Sequence, residues 1–463
     1  MPEGNQGLPR DWGKTEIFSQ PIEEKLPRRG VKKIFTFLVV LLVVLFLVVG
    51  GYVLLKKVRS GLPGVQSEVT LNYWGLWEPE EVMRGIILDW EKDHPKIKVE
   101  YQQHSSREYR ERLQSALARD EGPDIFRFHL TWTPMLKNEL EPVPASVISA
   151  SQFEASFYPV VAVHLRSGTD FLGLPLMVDT LSLFYNEDLF QAAGKKPPNS
   201  WEELRQLAVD LTVRDDSGQI QVAGVALGTT GNVDHWSDIL GLMMLQNGAD
   251  LNNPVGSFAQ DALKFYTLFN TVDRVWDATL PSSTLAFASS KVAMYFGPSW
   301  RIFDIEAANP NLNFKVIPVP QLPGQEIAWA SFWVEGVAKK SEHHQEAWEF
   351  LNFLSSPATL EKLYQTQSNL RFFGELYPRV EMADKLKADP LLAPFVEQMS
   401  KAHSWYLCSD TFDNGINDKI IKNYQDAVNA VNAGQAPEKA LDTAALGVAQ
   451  TLSAYGLGSY TVR

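Results

Sequence analysis

From Ile34 to Leu55 the chain reads IFTFLVVLLVVLFLVVGGYVLL, 22 residues without a charge. At about 1.5 Å of rise per residue, a helix of this length spans roughly 33 Å, enough for a hydrocarbon core of about 30 Å. A buried core helix rarely runs so long without a break. The main rival is a cleaved signal peptide. Against it, 33 residues precede the run, which also exceeds the roughly 7–15 apolar residues of a signal peptide. The single cysteine, Cys408, lies far downstream, so no thiol is placed for a lipid anchor. Lys25, Arg28, Arg29, Lys32 and Lys33 precede the run, whereas Lys56, Lys57 and Arg59 follow it. That bias puts the N-terminus inside the cell. The expectation is an uncleaved, single-pass signal anchor over 34–55 in the cell membrane. A disordered cytoplasmic tail over 1–33 precedes it, a linker over 56–67 follows, and the folded mass from 68 onward is extracellular.

Charge and cysteine count remove several function classes. Residues 1–60 carry ten Lys/Arg and five Asp/Glu, and the remaining 32 basic and 50 acidic residues give 61–463 a net charge of −18. A general nucleic-acid binder is excluded by that balance. One cysteine allows neither an intramolecular disulfide nor a Cys-based metal centre. There is no nucleophile elbow, P-loop or complete dinucleotide fingerprint. Arg214–Gly218 lacks the ligand spacing of a calcium loop, and His343 and His344 read as solvated. No metal, cofactor or catalytic residue is expected.

The folded part alternates. Val69–Trp74 reads as a strand, and Pro79–Asp93 as an amphipathic helix with Val82, Ile86 and Trp90 on one face. Ile97–Tyr101 is a second strand. Ser105 and Glu108 have capping-box spacing ahead of a helix, and Asp124–Phe128 is a third strand. Farther on, Leu181–Tyr185, Ile220–Leu227, Lys291–Phe296 and Phe314–Val319 are strands. A second capping box, Ser200 and Glu203, opens a helix between the first two of these. From about Glu342 the pattern is nearly all helix. Such a series predicts an α/β fold with a mainly parallel sheet covered by helices.

Four stretches in this order carry a resemblance. They are VTLNYWGLWEPEEV, GPDIFRFHLTWTPMLKNELEPV, then YNEDLFQAAGKKPPNSWEELRQLAVDLT preceded by GLPLMVDTLSLF, and finally KVAMYFGPSW followed at a distance by KKSEHHQEAWEFLNFLSSPATLEKL. From about Glu68 to Leu457 the chain resembles the extracellular solute-binding proteins of ABC importers, in the sugar-binding, maltose-binding-protein-like group. The resemblance implies a two-lobed periplasmic-binding-protein-like fold of type II, with ligand in the cleft between lobes. It assigns 68–178 and 297–333 to lobe one and 179–296 and 334–463 to lobe two. The expected crossings lie near Met177–Asp179, Phe296–Ser299 and Phe332–Gly336. The implied partners are a sugar ligand, the permease subunits of an ABC transporter and, through the anchor, the membrane.

A sugar presents apolar CH faces and a rim of hydroxyls, so its site needs flat aromatic surfaces and hydrogen-bond acceptors. Trp90, Trp201 and Trp348 lie on apolar helix faces and read as core, and Trp74 and Trp329 as core or wall. The family motifs point instead to Trp77 and Glu78 in the first cleft loop. They also point to Thr131 and Trp132 after the PDI strand, to Asp179 at the first crossing and to Trp300 in GPSW. Trp236, Trp333, Arg371 and Trp405 complete the ligand-binding set. A membrane-anchored carbohydrate-active enzyme, or a sugar sensor or adhesin on the same fold, remains an alternative. A glycosidase would need two carboxylates at a set separation.

Overall fold

The computed structural model describes residues 40–52, 68–324 and 326–458. The chain divides into two compact units, Met1–Ser67 and Glu68–Arg463. In the first, residues 40–52 are helical, and the apolar side chains of 40–49 are exposed. Among the described residues, no helix is long and apolar enough to cross a membrane. The ends of the expected span, 34–39 and 53–55, lie outside the described residues, as do the tail 1–33 and the linker 56–67.

In the second unit the chain begins with β1 (Val69–Gly75), β2 (Ile97–Gln103), β3 (Ile125–His129) and β4 (Leu140–Glu141). A small hairpin of β5 (Arg166–Ser167) and β6 (Asp170–Phe171) follows, and then β7 (Leu174–Pro175). β1 pairs in parallel with both β2 and β3. Helix Glu80–Asp93 buries Val82, Met83, Ile86, Ile87 and Trp90, the stripe that its spacing predicts. The box expected from Ser105 and Glu108 does not form. Glu108 takes a left-handed conformation at φ 58°, and helix Tyr109–Ala118 starts without a side-chain cap. Ser200 does cap helix Trp201–Asp210, but Glu203 reaches back to the Asn199 amide rather than to Ser200. A complete box instead joins Ser149 and Gln152.

β8 (Asp179–Thr180) leads into the second sheet, made of β9 (Ser182–Asn186), β10 (Val213–Arg214), β11 (Ile220–Val225), β12 (Val292–Gly297) and β13 (Phe314–Ile317). Its order is β10-β11-β12-β9-β13, with β9 antiparallel to both neighbours. β14 (Ala328–Ser331), β15 (Trp333–Ala338) and β16 (Ala402–His403) complete the strands. β15 returns to the first sheet, giving the order β2-β1-β3-β15-β4, and it also pairs with β7. Helix His344–Leu354 packs on β15 and helix Pro357–Ser368 on helix Glu80–Asp93, both in the first lobe. Helices Ile416–Asn432 and Pro437–Ala454 pack on each other and on helix Ser257–Thr271 of the second.

The links between lobes form a small sheet of their own, β16-β14-β8. Ser331 faces Asp179 and Ala330 faces Thr180 across the antiparallel pair, while Trp329 pairs with His403 in parallel. The pairing corrects the expected lobe boundaries. β13 lies in the second sheet, so 297–333 does not belong wholly to lobe one. β15 lies in the first sheet, so 334–463 does not belong wholly to lobe two. One crossing runs through β8, a second through β14, which ends at Ser331 beside the Phe332–Gly336 stretch, and the third through β16 rather than Phe296–Ser299, where β12 of the second sheet ends. In α/β chains of this kind, sheet membership follows hydrogen bonding that sequence periodicity does not encode.

Candidate functional site

A cavity of about 470 Å³ lies where the two sheets face each other across the crossing strands. The first lobe contributes Trp77, His129, Trp333 and Arg371, and the second His235, Asp238, Trp300 and Arg301. Asp179, Thr180, Trp329 and Ser331 line it from the crossing strands. Trp77 follows the carboxyl end of β1, the end at which open α/β sheets place their ligands. The turn there requires Gly75, because a Cβ would come within 2.5 Å of the Tyr101 ring. Trp77 stays 37% exposed and meets Trp333 edge-on, with centroids 5.6 Å apart. Trp300, also 37% exposed, precedes helix Arg301–Ala308. The Arg301 guanidinium covers one face of its ring at 4.2 Å, and His235 meets it edge-on at 5.6 Å. One indole face is thereby occupied by protein.

The charges are fixed by short contacts. Asp179 Oδ1 accepts from the Thr180 amide at 2.8 Å. Its Oδ2 accepts from the Ser299 amide at 3.0 Å and the Ser299 hydroxyl at 2.7 Å. Burial pushes the carboxyl up to about 7, against the downward pull of those hydrogen bonds. Arg301 donates to His235 Nε2 at 2.9 Å, to Asp304 at 2.9 Å and to Asp410 at 3.0 Å. The bond from Arg301 leaves His235 Nε2 without a proton, so Nδ1 carries it toward Ser409 Oγ, 2.7 Å away. Asp238 accepts from Trp329 Nε1 at 2.8 Å and from the Ser409 amide at 3.1 Å. Burial drives His129 down to about 3, so it stays neutral. Its Nδ1 accepts from the Thr131 amide and hydroxyl, and Nε2 donates to Ser331 Oγ at 2.9 Å. Arg371 donates to Glu375 at 2.7 Å. The arrangement offers indole surface, carboxylate acceptors and neutral imidazoles from both lobes. Among the described residues, no cluster of His, Cys, Asp and Glu is arranged to hold a metal ion.

Of the residues expected to touch ligand, Trp77, Asp179, Trp300, Trp333 and Arg371 are brought together here, and five others are not. Glu78 is buried and bonded to Arg127 at 2.6 Å. Thr131 is spent on His129, and Trp132 is buried behind Trp333 with centroids 5.1 Å apart. Trp236 is buried in the first turn of helix Trp236–Gln246. Trp405 is buried against Tyr424 and donates to Asn252. A tryptophan beside a loop reads the same in sequence whether its ring turns to the cavity or to the core. His235, Asp238, Ser331 and Asp410 were not anticipated, and Arg301 was noted only as a charge that could offset an anionic ligand. The four carry no motif.

The sequence profile described as "Bacterial extracellular solute-binding protein" matches residues 86–394. An "uncharacterized lipoprotein in oleD 5'region" of Streptomyces antibioticus is 25% identical over 342 residues, covering 67% of this chain and 72% of its own length. The "multiple sugar-binding protein" of Streptococcus mutans serotype c is 21% identical over 326 residues, covering 66% and 75%. Among solved structures, the sugar-binding protein MalE from Xanthomonas citri superposes with a TM-score of 0.68 at 21% identity, over 83% of this chain and 98% of that one. A cyclo/maltodextrin-binding protein complexed with maltotetraose does so at 0.67 and 20% identity, over 84% and 99%. Both superpositions establish the two-lobed fold.

Proposed function

The chain belongs to the bacterial extracellular solute-binding proteins, and on that footing we propose that it captures a carbohydrate, a mono- or oligosaccharide, between its lobes and hands it to the permease of an ABC importer. One observation carries the reading. Four indoles, Trp77 and Trp333 from one lobe, Trp300 from the other and Trp329 from a crossing strand, line a single cavity that also holds the acid Asp179 on a crossing strand. Indoles stack on the CH faces of a pyranose, and carboxylates accept from its hydroxyls. A guest that touches both lobes favours the shut arrangement, and a permease can read that difference. The Streptococcus mutans relative and both superposed structures are binding proteins by their own descriptions. They support a binder rather than a catalyst.

Titration calorimetry of residues 68–463 against a carbohydrate panel tests the proposal. Saturable, one-site binding that falls with Trp300→Ala supports it, and a panel without any binder sinks it. Labelled oligosaccharide converted under turnover would replace binding with catalysis.

The tether belongs to the same proposal. The uncharged run 34–55 and its basic flanks support a single helix holding the binding unit at the outer face of the cell membrane. Tethering raises the receptor's effective concentration at the permease. The protein should stay with membranes through a high-salt wash and leave only with detergent. Recovery as a soluble chain beginning beyond Gly50 would mean a cleaved signal peptide instead.

A further inference from the structure

Trp77 is partly exposed, so burial alone does not set the angle of its ring. What fixes it lies one residue on. Arg127, on β3, is wholly buried. Its Nη1 donates to Glu78 Oε2 at 2.6 Å, and its Nε to Glu335 Oε1 at 2.6 Å. Glu335 faces Arg127 directly across the β3–β15 pair, and Trp333, two residues back on the same face, faces His129. The Glu78 carbonyl also accepts from the Tyr101 hydroxyl at 2.7 Å. One guanidinium therefore holds the two segments whose indoles meet edge-on. We propose that Arg127 is a positioning residue for ligand recognition, setting Trp77 against Trp333 through Glu78 and Glu335.

The charge balance supports a geometric role. Two buried acids face one base, and burial raises the Glu335 carboxyl above its usual range despite Arg127. Buried ion groups of this kind seldom add stability over an apolar replacement, and their value lies in fixing arrangement. That recognition follows from the arrangement rests on the reading of the cavity as a sugar site.

Removing Glu78 leaves a neutral Arg127–Glu335 pair, so Glu78→Met should fold, whereas Arg127→Met strands two acids. The first readout needs no ligand. The Trp77–Trp333 pair should give the circular dichroism of the full chain an indole exciton component that Trp77→Phe removes. Glu78→Met should lose that component, and Glu78→Gln, which keeps the acceptor, should regain it. The second readout is affinity for maltotetraose as the probe. It should fall about tenfold in Glu78→Met, the worth of one charge-assisted hydrogen bond, and recover in Glu78→Gln. An unchanged exciton component in Glu78→Met overturns the positioning role. So does affinity that falls with Trp77→Ala but not with Glu78→Met. Affinity indifferent to Trp77→Ala removes Trp77 from the sugar site while the exciton component still reports on the clamp.

Discussion

Ser299 gives both its backbone N–H and its hydroxyl to one oxygen of Asp179, 120 residues earlier in the chain. The bond joins crossing strand β8 to the loop that carries Trp300. The acid and the indole of the second lobe are thus held as one piece.

Asp179 makes the protein sensitive to pH. Its carboxyl titrates at about 7 in the folded state, against an ordinary value of 3.8. Between those values the folded chain holds a proton that the unfolded chain has released, so stability falls as pH rises through the interval. Melting temperature measured across that range should show this slope in the wild type and lose it in Asp179→Asn. Sugar binding should run the other way. A sugar hydroxyl donates more strongly to the carboxylate than to the neutral acid, so affinity should rise as pH passes about 7. A flat affinity profile would remove Asp179 from ligand contact.

Trp300 presents one free face, because Arg301 covers the other. Trp300→Ala should cost about 2 kcal/mol of binding energy, a loss of roughly thirtyfold, and Trp300→Phe less. Arg301→Met should also weaken binding, by releasing the ring, His235 and Asp410 together. Calorimetry on the three variants checks the order.

The loop before helix Ile416–Asn432 reaches the opposite lobe. Arg110, on helix Tyr109–Ala118, donates to the Asp413 carbonyl, and Asn414 donates to Glu111 at 2.8 Å. Asp410, Phe412 and Asn414 all adopt positive φ, at 57°, 51° and 44°. Non-glycine residues held there store strain of about 1–3 kcal/mol each, at places where surrounding contacts enforce it. The same loop lines the cavity through Ser409, Asp410 and Phe412. Arg110→Ala should therefore raise the sugar dissociation rate about three- to tenfold with little change in association. Stopped-flow measurement of both rates decides it.

How much of this was legible in the sequence varies by element. Helix Glu80–Asp93 declared itself, because five buried side chains repeat at helical spacing. Of the strands in the two sheets, β1, β2, β3, β9, β11, β12 and β13 were legible from β-branched and aromatic runs, whereas β15 and the two-residue β4, β7 and β10 were not. Crossing strands β14 and β16 were not. They span four and two residues, too few for a period, and they exist because partners distant in sequence pair with them. The site divides in the same way. Trp77, Asp179 and Trp300 sit in stretches with family motifs, whereas His235 and Asp410 enter only through folding, both bound to Arg301. Glu78 was misjudged because its partner, Arg127, sits 49 residues away in strand β3, and nothing in the spacing of the two announces the pair.

Packing gives a stability test remote from the cavity. A Cβ on Gly224, in β11, would lie 1.9 Å from the Ala208 carbonyl oxygen of helix Trp201–Asp210. Neither backbone can yield cheaply. Gly224→Ala should lower unfolding free energy by about 3 kcal/mol in urea titration, with sugar affinity of the folded fraction unchanged.

Strands β8, β14 and β16 lie hydrogen-bonded side by side, so the halves are coupled by a three-ply ribbon rather than by loose cords. Twisting such a ribbon shears its backbone ladder, while flexing it across its width breaks no bond. Asp179, which rides on the ribbon, sits where any flexing of one half against the other would pivot.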